Sequence, residues 1–263
     1  MKKRQNLTLK SFGAGEPENP SRKRLAEWIL SEHKTCCDLL SYEIESQIKD
    51  QKKYVDFLCA GGEFYSRRIK ESFIGIKSGF LTSEPDASLD FLTYDSERIK
   101  KISKNASFSF PPPSGLGIED AYYKKRDDFI GGLCDVYKKI MRCQRDCGIK
   151  EHLLISDLFD STELEELSKN RVLFFSLAGE SKTLESVLEY QNFIAVKPSK
   201  LAGVYELMNE YEIKKIAVIN GNNDDFEKCL EYFDPENIIS GGFTNGFGEE
   251  FWKDLKENSF VMR

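Results

Sequence analysis

The chain has 263 residues, 40% of them hydrophobic and 31% charged, with a formal net charge of -6. That length holds one large domain or two small ones, and the composition excludes a disordered or fibrous chain. The acidic balance argues against a body coated with nucleic acid, and no apolar run reaches the roughly 18 residues of a membrane helix.

The N-terminus departs from this balance. Lys2, Lys3, Arg4, Lys10, Arg22, Lys23 and Arg24 stand against Glu16 and Glu18, which makes residues 1–24 net +5 on a remainder of -11. A basic tail on an acidic body suits nucleic acid or an acidic partner, or is simply solvated. No apolar segment follows the basic start, so an intracellular protein, cytoplasmic or nuclear, is expected. Its seven cysteines then read as reduced thiols rather than a disulfide framework. Residues 1–20 end in Gly-Ala-Gly-Glu-Pro-Glu-Asn-Pro and read as a flexible arm. Within this arm, Asn6 to Phe12 loosely resembles a sliding-clamp-binding peptide, with Leu9 and Phe12 at two anchor places and Gly13 where a second aromatic belongs.

Residues 21–118 read as a helical and mixed region. Ser21 can cap a helix, and across residues 21–60 Leu25, Trp28, Ile29, Leu39, Leu40, Ile44, Ile48, Val55 and Leu58 recur at helical spacing until Gly61-Gly62. Short extended candidates follow at Phe73–Ile76, Phe80–Leu81 and Leu89–Tyr94. Pro111-Pro112-Pro113 breaks the pattern as a linker or a surface loop. The aromatics beside it, Phe108, Phe110, Tyr122 and Tyr123, fit packing or stacking on a base or peptide.

Residues 119–263 read as an α/β domain. A helix is expected from Glu119 to Cys147. Apolar runs then appear at Leu153–Ile155, Val172–Phe175, Phe193–Val196, Ile216–Ile219, Ile238–Ile239 and Phe260–Met262. Helix-like segments at Thr162–Lys169, Thr183–Tyr190, Leu201–Tyr211, Asp224–Phe233 and Glu249–Lys256 separate them. Strands alternating with helices predict βαβ units in a mostly parallel sheet, here a Rossmann-like, doubly wound one. Near-pure apolar strands fit a sheet covered on both faces.

Ligands of such sheets bind beyond the carboxyl ends of the strands. The candidates there are Ser176, Gly179, Lys182, Lys197, Asn220, Asn222, Gly241 and Asn245 as ligand contacts, with Asp157 as the most plausible acid or base. Glycine, small polar residues and helix N-termini together suit a small anionic or phosphorylated, nucleotide-like ligand. The same residues also serve any strand-to-helix turn. Gly179-Glu180-Ser181-Lys182-Thr183 is no phosphate loop, because two residues separate glycine from lysine and Phe174 replaces the first glycine. Ser181 is expected to cap the helix that follows.

No G-x-G-x-x-G follows a strand and no G-x-S-x-G nucleophile elbow is present, so neither a cofactor nor a reaction is assigned. Two clusters, His33/Cys36/Cys37 and Cys143/Cys147/His152, raise a metal hypothesis. Neither has a C-x2-C knuckle, buried thiols are the simpler reading, and no metal site is assigned. Asp160, Asp224 and Asp225 fit helix capping better than catalysis. Two functions remain: an α/β protein, with enzyme activity an open question, binding a small anionic ligand at its strand ends; or a non-catalytic scaffold or assembly subunit with a degenerate Rossmann-like domain that binds a protein or nucleic-acid partner through its N-terminal half and basic arm.

Overall fold

The structure is a computed structural model that describes residues 3–17, 20–32, 38–246 and 248–262. Its centre is eight parallel strands: β1 Thr8–Ala14, β2 Leu58–Gly61, β3 Ala106–Phe110, β4 His152–Ile155, β5 Val172–Phe175, β6 Phe193–Val196, β7 Lys215–Ile219 and β8 Ile238–Thr244. Strands β2 to β5 pair in sequence order, as do β6 to β8, and β8 pairs in parallel with β1.

Two seams join these half-sheets. At the first, Lys10 bridges Phe57 and Ala14 bridges Gly62, both in parallel, and Ser11 N–H donates to Phe57 O at 2.9 Å. At the second, the Gln191 side-chain amide acts as a piece of strand. Its Oε1 accepts from Phe174 N–H at 2.9 Å, and its Nε2 donates to Phe174 O at 2.9 Å and Phe193 O at 2.5 Å. Every strand therefore neighbours the next in sequence, and the last returns to the first. That order describes a closed (β/α)8 barrel.

The α/β class and the six strand runs of the second half are as expected. The open, doubly wound, Rossmann-like sheet is corrected to a barrel. Three of its strands come from residues read as arm, helix and linker, so the boundaries at 20 and 118 fall inside one fold. The physical reason is that a barrel interior takes small and polar residues where strands crowd. In β1, Lys10 pairs with Glu151 inside the lower barrel, and Ser11 is fully buried. At Gly13 (φ +104°) an added Cβ would lie 2.9 Å from Gly61 O, so only glycine permits this approach of β1 to β2.

Leu9 and Phe12 are fully buried, which removes the clamp-peptide reading. Two basic residues of the supposed arm are likewise engaged: Lys10 is buried, and Arg4 lies over the Phe260 ring at 3.8 Å. Strand Arg4–Asn6 pairs antiparallel with Phe260–Met262, outside the barrel.

Leu89–Tyr94 is not extended. It starts helix Asp90–Ile102, whose Leu92 and Ile99 face the core. Ser21 Oγ accepts from Arg24 N–H at 3.3 Å, as a cap for helix Arg22–Glu32. The proline run closes β3 as an ordered turn, fastened by Tyr137 O–H to Pro111 O at 2.7 Å. The following helix is Arg126–Asp146.

Alternation along the strands sorts the core. Leu9, Leu58, Phe108, Phe110, Leu154 and Phe174 face the surrounding helices. Phe12, Cys59, Leu153, Ile155, Phe175, Ile219 and Phe243 fill the barrel, with Phe12 edge-on to Phe175 at 5.1 Å and Phe175 edge-on to Phe243 at 6.4 Å. Burying so many large side chains, each worth about 1.5–3 kcal/mol, closes the interior. It leaves the rims as the places where polar groups converge.

Candidate active site at the barrel mouth

A period of two carries each strand's inward face into the loop after it. Ile155 in β4 points inward, so Asp157 rises above it; Ala195 in β6 places Lys197 likewise, and Phe243 in β8 places Asn245. From β2, the Gly61-Gly62 turn delivers Glu63. Gly62 (φ +139°) has no room for a side chain, because an added Cβ would lie 1.8 Å from Ala14 O. A Cβ on Gly15 would meet Asn245 Oδ1 at 2.8 Å and Glu63 Oε2 at 3.4 Å, so both side chains converge on the Gly15 backbone.

Glu63 is the electrostatic centre of the mouth. Lost hydration raises its pKa first, the charges of Asp157 and Glu16 raise it further, and Lys197 pulls it down. These four groups come from the ends of β2, β4, β1 and β6. Reading residues 21–60 as helix hid Glu63. The signal for it was Leu58-Cys59-Ala60-Gly61 followed by Gly-Glu, the same apolar-run-then-glycine pattern as the later strand ends.

Asp157 lies at the mouth, but its carboxylate also organises a loop. Oδ1 accepts from Ser176 O–H at 3.0 Å and from Ala178 N–H at 2.8 Å, and Ser176 Oγ in turn accepts from Gly179 N–H at 2.9 Å. Gly179 sits at φ +61° in that turn. Lys182 and Lys197 are exposed. Asn220 (φ +55°) staples β7 to β8: its Nδ2 donates to Phe243 O at 2.7 Å and its Oδ1 accepts from Phe243 N–H at 2.9 Å. Asn222 caps helix Asn223–Cys229, accepting from the Asp224 and Asp225 N–H groups. Gly241 is inside the packed barrel, where an added Cβ would meet Ile219 Cδ1 at 2.6 Å. The structure therefore brings Asp157, Ser176, Lys197 and Asn245 to the mouth. Asn220 and Asn222 bond their own backbone neighbourhood, and Gly241 lies below.

Several expectations about caps and metals meet the structure here. Glu180, not Ser181, is the N-cap of helix Ser181–Leu188, and it pairs with Lys200 at 2.9 Å. Asp160 caps helix Ser161–Leu167 in a reciprocal box with Glu163, and Asp225 plays the Glu163 part in helix Asn223–Cys229. Cys143 and Cys147 do not join His152. Cys143 Sγ lies 3.1 Å from Thr93 Oγ1, while His152 Nε2 faces Gln144 Oε1 at 3.0 Å inside the fold. Burial, then nearby Arg145, pushes the His152 pKa down to about 3. His33, Cys36 and Cys37 lie outside the described residues. Among the described residues, no group of three or more His, Cys, Asp or Glu could hold a metal, and no helix is long and apolar enough to cross a membrane.

The fold and the position of this cluster define the class: a (β/α)8 barrel with its ionisable groups at the carboxyl ends of the strands, where barrel enzymes carry their active sites. Among solved structures, the chain is similar to a B12-independent methionine synthase from Shewanella sp. W3-18-1, with a TM-score of 0.53 at 12% identity over 97% of this chain and 95% of that one. A tryptophan synthase from M. tuberculosis aligns at a TM-score of 0.45 and 12% identity over 96% and 91% of the two chains, too distant to argue from. The first likeness is one of fold alone. No protein-family model and no curated protein sequence matches the chain.

Proposed function

We propose that the chain is a barrel enzyme that moves a proton on a small anionic ligand held at the mouth of the strands. The observation that carries this reading is the electrostatic convergence of Glu63, Asp157, Glu16 and Lys197 from four strand ends. A carboxyl group whose pKa is raised suits general acid–base work; lost hydration is the first cause of the rise here, and the like-charged neighbours add to it. Glu63 is the acid or base. Lys197 faces the ligand's negative charge. Asp157 tunes Glu63 and positions the Ser176–Gly179 turn beside it, and Asn245 offers an amide next to the Glu63 carboxyl. Gly179 and Lys182 belong to the rim of the same site.

A phosphate site at the last two loops is less favoured. Helix Asn223–Cys229 starts with Asp224 and Asp225, and helix Glu249–Glu257 starts with Glu249 and Glu250, so both N-termini already carry negative charge. A carboxylate-bearing ligand fits the single amine of Lys197 better.

The test is a thermal-shift series of the full chain against small hydroxy- and keto-carboxylates and sugar phosphates. A ligand at about 100 times its dissociation constant adds roughly 2.7 kcal/mol to stability. Loss of the shift in Lys197→Ala, together with loss of turnover but not of binding in Glu63→Gln, supports the reading. A shift indifferent to Lys197→Ala, or turnover that survives Glu63→Gln, sinks it.

A second reading, a non-catalytic barrel, is favoured by one observation: Asp157, Asn220 and Asn222 all spend hydrogen bonds on their own backbone neighbourhood. It predicts that none of these carboxylates or sugar phosphates raises the melting midpoint.

A further inference from the structure

A second polar site stands behind the mouth, on the other side of the Gly62–Phe64 turn. A cavity of about 320 Å³ lies between the loop after β1, the start of helix Leu39–Gln51 and helix Ser66–Glu71. Leu39, Leu40 and Phe64 give it apolar walls, and Glu43 lines it.

Glu43 is only 4% exposed, yet it has no hydrogen bond or ion pair among the described residues. Of the other acids around the cavity, Glu16 is exposed, and Asp38 and Glu71 are paired. Asp38 is held bidentate by the Arg68 guanidinium at 2.9 and 2.7 Å and caps Ser41 N–H, while Glu71 pairs with Arg67 at 2.8 Å. Buried polar groups are almost always satisfied, so a buried carboxyl with no partner facing a cavity calls for a donor in that cavity.

The surrounding charge says which donor. Glu16 from the β1 loop and Asp38 from the helix start bear on Glu43 with the same sign as its own; Arg67, from helix Ser66–Glu71, opposes them. The cavity therefore favours a cation. A metal ion wants several converging oxygens, and no such set exists among the described residues. A carboxylate with no partner beside the apolar side chains of Leu39, Leu40 and Phe64 instead matches an ammonium head on a short hydrocarbon stem. We propose that this cavity is a binding site for a primary ammonium group on a short apolar chain, with Glu43 as its counter-ion.

The site does not require the mouth chemistry, although the two share Glu16 and the Gly62–Phe64 turn. Lost hydration, then Glu16 and Asp38, push the Glu43 pKa up to about 7. Binding needs the charged carboxylate, so the affinity for an ammonium ion falls with acidification below that value. An alkylammonium keeps its own charge throughout, with a pKa near the lysine value of about 10.4.

The test titrates the full chain with n-butylammonium chloride, with n-pentanol as a neutral probe one carbon longer and with Mg²⁺, by calorimetry at pH 8.5 and 5.5. Saturable butylammonium binding is expected at pH 8.5, at least tenfold weaker at pH 5.5. Glu43→Gln should abolish it at both values while the melting midpoint stays the same or rises, and Glu63→Gln should leave it unchanged. Absence of saturable ammonium binding at pH 8.5, equal binding by Glu43→Gln, equal binding of n-pentanol, or one-for-one displacement by Mg²⁺ would overturn the proposal.

Discussion

Replacing Glu43 with glutamine should stabilise this protein, and by more as the pH rises. The group's pKa stands at about 7 in the fold against an ordinary 4.5. A carboxyl whose pKa is raised by folding contributes stability below its unfolded value, and that contribution is lost as pH climbs through the folded value. Glutamine has the shape of the neutral acid and keeps that contribution at every pH. At about 1.4 kcal/mol per pH unit across the interval, the gain has a ceiling of about 3 kcal/mol. In urea unfolding of the two proteins, the difference between them should grow from about 1 kcal/mol at pH 5 to about 3 kcal/mol at pH 8.5. All other titrating groups cancel in this difference. A pH-independent difference, or one that shrinks toward pH 8.5, would refute the account of Glu43 as a buried acid without a partner.

Three further outcomes follow from the barrel. Gly62→Ala drives a methyl group into Ala14 O and should cost more than about 4 kcal/mol, seen as loss of the cooperative urea transition. Gln191→Leu keeps the volume but removes the amide that joins β5 to β6, so about 2–3 kcal/mol should be lost by the same assay; an unchanged midpoint would show that the seam is held by packing alone. The His152 Cε1 proton should show no titration in NMR between pH 8 and 5, because the ring stays neutral down to about pH 3. Its lowered pKa means that stability is fully present above the unfolded value of 6.5 and declines as pH falls from there toward 3. An inflection near pH 6.5 in the folded protein would show the ring to be hydrated.

The first half of the chain shows where reading a sequence stops. Leu58-Cys59-Ala60-Gly61 is too short to announce a strand after some forty residues of helical pattern, and β3 hides in Ala-Ser-Phe-Ser-Phe next to three prolines. In β1, Lys-Ser-Phe-Gly-Ala carries a cation and a glycine that sit well only because Glu151 and the Gly61 backbone await them across the barrel. Partners so distant in sequence leave no local periodicity. The same cause hid Glu63 and Glu43, whose behaviour depends on Asp157, Lys197, Glu16 and Asp38.

The sequence by itself determined the alternation of strand and helix from His152 onward, because each of those strands is an apolar run between helix-like segments, and local pattern suffices for that. It also determined that small polar residues crowd the carboxyl ends of the strands, four of which, Asp157, Ser176, Lys197 and Asn245, meet at the mouth. Only the tertiary structure decided that the sheet closes. Closure rests on β8 pairing with β1 across more than two hundred residues and on Gln191 standing in for backbone at the other seam. Such contacts are selected by the geometry of the whole barrel, and no stretch of the chain encodes them alone.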